Sequence, residues 1–93
     1  MEERFIAAWE DCRVKAAALG VRMRPIDRDS AMKAAHRALS GTRESDGFGA
    51  LEDKGRLDLS LEALAIDKRF TALFSDEEAN NALMRLLEAG HRF

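Results

Sequence analysis

The 93-residue chain has room for one hydrophobic core and not for two, because domains below about 50 residues seldom fold unaided. Hydrophobic residues make up 46% and charged residues 34% of it, a mixture that fills a core and still solvates the surface, so wholesale disorder is excluded. The formal net charge is only −2, yet the charges are unevenly placed, and that placement bears on partners more than the total does.

Between Arg13 and Arg43, eight basic residues stand against two acidic ones, whereas from Gly47 onward nine acidic residues outnumber six basic ones. Such asymmetry suits attraction to nucleic acid, contact with an acidic surface, or the meeting of one copy's basic end with another's acidic end; equally, it describes solvated helix faces. The lone Cys12 excludes an internal disulfide, and no signal-peptide pattern opens the sequence, which together predict a reducing, cytoplasmic setting. Uninterrupted apolar runs such as Ala16–Leu19 are far shorter than the roughly 18 to 20 residues that cross a bilayer, so no membrane-spanning segment is expected.

In chain order, the first helix is predicted over 3–19. Phe5, Trp9, Cys12, Ala16 and Leu19 follow one helical stripe, Glu2 and Glu3 complement the positive end of the helix dipole, and Gly20 supplies a left-handed stop. Residues 21–26 form a connector, since Pro25 disfavours helical geometry at Arg24. A second helix over 28–40 is capped by Asp27 or Asp29, buries Met32, Ala35 and Leu39, and ends at Gly41. Its many alanines permit close approach but bury little area.

Residues 41–56, rich in glycine and turn-forming polar residues, read as a long irregular loop. Connections of that length in compact domains tend to be mobile or functional. Phe48 and Leu51 are its large apolar residues, with three roles open: anchoring the loop on the core, forming a short helical turn with Ala50, or contacting a partner. Leu57, Leu59 and Leu61 alternate with polar residues as a half-buried strand would. Because no second segment offers pairing, a helix over 58–66 is preferred, capped by Asp58 or Ser60, with another over 67–74 beyond a break at Asp67.

This 58–74 region is apolar nearly all round, which places it at the centre of the domain or between subunits. A capping box at Ser75 and Glu78 starts the last helix, 76–89. Its expected apolar face holds Ala79, Leu83, Leu86 and Leu87, broadened by Ala82 and Met84, and Gly90 ends it. Phe93 is expected either to pack back on the core or to leave a small exposed apolar spot. The expected architecture is an all-α single domain, 1–93: a small bundle of four or five helices carrying the 41–56 loop.

Enzymatic signals are lacking. His36, with Met32, Lys33, Leu39 and Ser40 at helical spacing, completes no nucleophile-base-orienter set. Cys12 lies on an apolar stripe where burial disfavours the thiolate, and the Cys and His spacings match no zinc site. The glycines around Phe48 lack the spacing and the lysine of a phosphate-binding loop. No catalytic residue, metal or cofactor is therefore assigned.

The first functional expectation is a non-enzymatic protein-interaction module that self-associates or binds a protein partner through Leu57, Leu61, Leu64, Phe70 and Phe48, since a bundle this small has limited area to cover a two-sided helix. The alternative is a nucleic-acid-binding regulator with Arg22, Arg24, Arg28, Lys33 and Arg37 on phosphates, although Asp27 and Asp29 at that helix start would repel them.

Overall fold

The computed structural model describes residues 1–91 and contains no strand among them. Five helices follow one another: α1 (Glu2–Ala18), α2 (Ala31–Ser40), α3 (Phe48–Asp53), α4 (Leu61–Ala65) and α5 (Asp76–Glu88), with single 3-10 turns at Leu57–Leu59 and Thr71–Leu73. The expectation for Phe93 falls outside the described residues.

α1 buries Phe5, Cys12 and Ala16 on the stripe read from their spacing, with Trp9 half-buried between them. Gly20, at φ 86°, turns the chain back, and the Val21 amide reaches the Ala16 carbonyl at 2.9 Å. Burial raises the Cys12 thiol above its ordinary range, with the neighbouring Asp11 carboxylate adding to the effect. The residue thus behaves as a small hydrophobe.

α2 begins three residues later than its sequence pattern predicts. The Asp27 carboxylate accepts from the Asp29 amide at 3.0 Å and the Ser30 amide donates to the Asp27 carbonyl, so residues 27–30 form a turn of their own. A short polar side chain offers the backbone this alternative to a helix. Ser30 then occupies the cap position without a side-chain bond, while Ala31, Ala35 and Leu39 face the core.

The segment expected to be an irregular loop contains α3. Phe48 and Leu51, three residues apart and hence on one helical face, are both buried, so the loop is at once anchored and helical. Gly47 makes its approach possible. At φ 80° it leads into α3, and a Cβ there would sit 2.8 Å from Met23 Cγ in the connector beneath.

Residues 57–74 differ most from expectation. In place of two helices, the chain makes a 3-10 turn, reverses at Ser60, runs through α4, turns again at Asp67 and closes with the second 3-10 turn. The Ser60 hydroxyl accepts from the Ala63 amide at 3.1 Å and donates to the Leu57 carbonyl at 2.7 Å, which starts α4 and fixes the reversal. Because the direction changes there, Leu57, Leu59 and Leu61 all point inward, and their alternation reflects burial without a strand.

The expected break at Asp67 is present: its carbonyl accepts from Phe70 and Thr71, and its carboxylate from the Arg69 amide. Phe70 and Phe74 then meet Phe5 of α1 edge-on, with ring centroids 5.4 and 5.2 Å apart. This aromatic cluster joins the two halves of the chain. α5 packs on α4 and α2, and α1 on α4, α2 and the Leu57–Leu59 turn.

Candidate functional site

The five apolar residues expected to meet a partner, Leu57, Leu61, Leu64, Phe70 and Phe48, are all buried in the subunit's own core. A straight two-sided helix would have left one face uncovered. Breaking the segment at Ser60 and Asp67 turns successive pieces so that their apolar sides converge, and no second subunit is required to cover them.

The five candidate phosphate contacts, Arg22, Arg24, Arg28, Lys33 and Arg37, are all exposed. Lys33 and Arg37 lie one turn apart on the outer face of α2. Arg28 is engaged by Glu10 at 3.2 Å, and the backbone amide of Arg24 donates to Asp46 at 2.7 Å. Asp27 and Asp29 are exposed beside them.

Two polar networks organise the other half of the molecule. Glu62, fully buried, accepts from the amide (2.8 Å) and hydroxyl of Ser45 and from Arg85 at 3.2 Å. Arg85 also donates to the carbonyls of Ala38 (3.1 Å) and Gly41 (2.6 Å), tying the end of α2 to α5. Near the start of α5, Glu78 completes the capping box with Ser75 and accepts from His36 Nδ1 at 2.7 Å.

Burial raises the Glu78 carboxyl, but the Ser75 amide and the His36 imidazole outweigh it and hold the group below the usual carboxylate range. The Ser40 hydroxyl donates to the His36 carbonyl at 2.7 Å and lies 3.4 Å from Glu78. His36 thus cross-links α2 to α5, with the Phe74 ring against its imidazole at 5.2 Å between centroids.

These networks decide the orientation of α5. Glu78 and Arg85 are seven residues apart, on one helical face together with the buried Ala82 and Leu86. With that face turned inward, Leu83, Met84 and Leu87 remain 37%, 46% and 50% exposed. The expected apolar face of α5 is thereby corrected: Leu86 and Ala82 are inside, while Leu83, Met84 and Leu87 form an outward stripe. The exposed Asp76 and Glu77 lie at one end of the stripe and Glu88 at the other, with no exposed cation on the helix.

Among the described residues no helix is long and apolar enough to cross a membrane. The chain matches no protein-family model, and neither a curated protein nor a solved structure is significantly similar to it.

Proposed function

We propose that the chain is a non-enzymatic protein-interaction module, and that its docking face is the outward side of α5. The observation that carries this reading is the uncovered stripe of Leu83, Met84 and Leu87. Single exposed leucines are ordinary, but three large apolar side chains side by side, rimmed by polar groups, are the pattern of a contact surface.

The occupant is a basic amphipathic helix of a protein partner. Apolar anchors at helical spacing would lie on the stripe, and Lys or Arg at the partner's flanks would meet Asp76, Glu77 and Glu88. A second copy fits less well, because antiparallel pairing of two α5 helices would bring Glu88 of one within about one turn of Glu77 of the other, and like charges repel.

A synthetic leucine-lysine amphipathic peptide and its leucine-glutamate counterpart provide the test, followed by fluorescence anisotropy. The basic peptide is expected to bind saturably, weaken with added salt, and lose at least about tenfold in affinity against Leu83→Ser/Leu87→Ser. Equal binding of both peptides, or unchanged binding by the variant, overturns the reading. Light scattering separates self-association: a dimer of the wild type that the same double substitution dissolves would assign the face to a second copy.

The alternative reading is a phosphate-binding surface on the Arg22–Arg43 stretch. It is supported by the exposure of Arg22, Arg24, Lys33 and Arg37, none of which has an ion pair among the described residues. Titration with mixed-sequence DNA at low salt tests it, and absence of salt-sensitive binding there removes it.

A further inference from the structure

A cavity of about 300 Å³ opens between α1, the connector and α2, with Ser45 and Asp46 of the loop closing one side. Its floor is the buried Ala31 and Leu61, and its walls include the half-buried Trp9, Met23 and Ile26. An apolar cavity of this size lies at the small end of ligand sites, roughly 300 to 1,000 Å³. Two cations line it: Arg24, exposed at the rim, and Arg13, half-buried in the wall. Arg13 follows Trp9 by one turn of α1, and its Nε is shut off from water with no hydrogen-bond partner. Among the described residues its guanidinium has neither an ion pair nor a hydrogen bond.

Two carboxylates also line the cavity, yet both are exposed and already occupied: Asp27 by the Asp29 amide and Asp46 by the Arg24 amide. Neither forms an ion pair or a hydrogen bond with Arg13. A half-buried arginine without a partner is costly unless something else completes it. An anionic group arriving with a ligand would do so through the charge-assisted geometry that guanidinium and carboxylate share.

We propose that this cavity binds a small apolar monocarboxylate, of the medium-chain fatty-acid or aromatic-acid class. The apolar body lies on Trp9, Met23, Ile26 and Leu61, and the carboxylate pairs with Arg13. A monoanion is favoured over a phosphate, because the two arginines and two aspartates of the lining balance in charge and leave Arg13 as its one half-buried cation to be met. The size of the cavity favours a short ligand over a long-chain lipid.

Octanoate and its neutral counterpart octanol, both below micelle-forming concentrations, serve as probes. Trp9 is the chain's one tryptophan, so its emission reports on the wall directly, and calorimetry gives the stoichiometry. Octanoate is expected to bind at one site, shift the Trp9 emission, and bind at least about tenfold more tightly than octanol. Arg13→Gln should abolish that preference, and Ala34→Phe, at an exposed position of the lining, should weaken both probes.

Equal affinity of the two probes for the wild-type protein overturns the proposal without recourse to any variant. So does a failure to saturate at millimolar octanoate, binding that leaves Trp9 unchanged, or a preference retained in folded Arg13→Gln.

Discussion

Arg85 and Arg13 divide the molecule into two regions of opposite character. Around Arg85, the loop, α4 and α5 are sealed: Glu62 and the carbonyls of Ala38 and Gly41 take up the guanidinium, and Ser45 completes the carboxylate. Around Arg13, α1, the connector and α2 leave a cavity whose half-buried cation has no ion-pair or hydrogen-bond partner among the described residues. A charge whose partners come from three segments of its own chain is spent on holding those segments together. One left without partners in an apolar wall remains available to a ligand.

The largest effect is expected from leucines on α4 and α5 that differ in burial. Leu64→Asp puts a charge where the side chain is buried and should prevent stable folding, whereas Leu83→Asp on the outer face of α5 should keep a native circular dichroism spectrum and melt within a few degrees of wild type. Equal damage from the two would erase the assigned orientation of α5.

Next in size, Arg85→Met strands the buried Glu62 and should cost about 3–5 kcal/mol in urea unfolding, the usual penalty for breaking a buried pair from one side. Adding Glu62→Gln should recover part of that loss. If the double variant is no better than the single one, the Glu62–Arg85 pair is not what seals this region.

The pH dependence of stability sharpens the same contrast. The Glu78 carboxyl is depressed in the folded protein, so its contribution is present above the ordinary carboxylate range and is lost as pH falls through that range toward its folded value. Melting temperature should therefore decline on acidification, and Glu78→Gln should flatten the profile. An identical slope in the variant would assign the acid sensitivity to other groups.

The smallest effect is expected at Arg13. Arg13→Met removes a group with no partner among the described residues, so the change in urea unfolding should stay within about 1 kcal/mol. A loss comparable to that of Arg85→Met would mean that the open region is held together by its arginine after all.

What was legible in the sequence follows from range. The stripe of α1, its stop at Gly20, the break at Asp67 and the Ser75–Glu78 capping box are set by residues within a few positions of one another, where backbone geometry and hydrogen-bond reach act alone. The helix in the 41–56 loop was half-visible in Phe48 and Leu51, because one helical face was present without enough length to insist on it. Arg24, a candidate phosphate contact by its sequence, also lines the cavity rim, while nothing in the local pattern sets Arg13 apart from the other basic residues.

Local chemistry thus fixed an all-helical chain, the ends of α1 and α5 to within a residue, and the buried stripe of α1. Tertiary structure alone decided that 57–74 folds back on itself, that α5 turns Leu83 and Leu87 outward, and that a cavity stays open beside Arg13. Each of those outcomes depends on groups far apart in the chain, such as Arg85 with Ala38, 47 residues away, and His36 with Glu78, 42 away. A buried charge must find its partners wherever the fold supplies them, and satisfying it outweighs the exposure of two leucines.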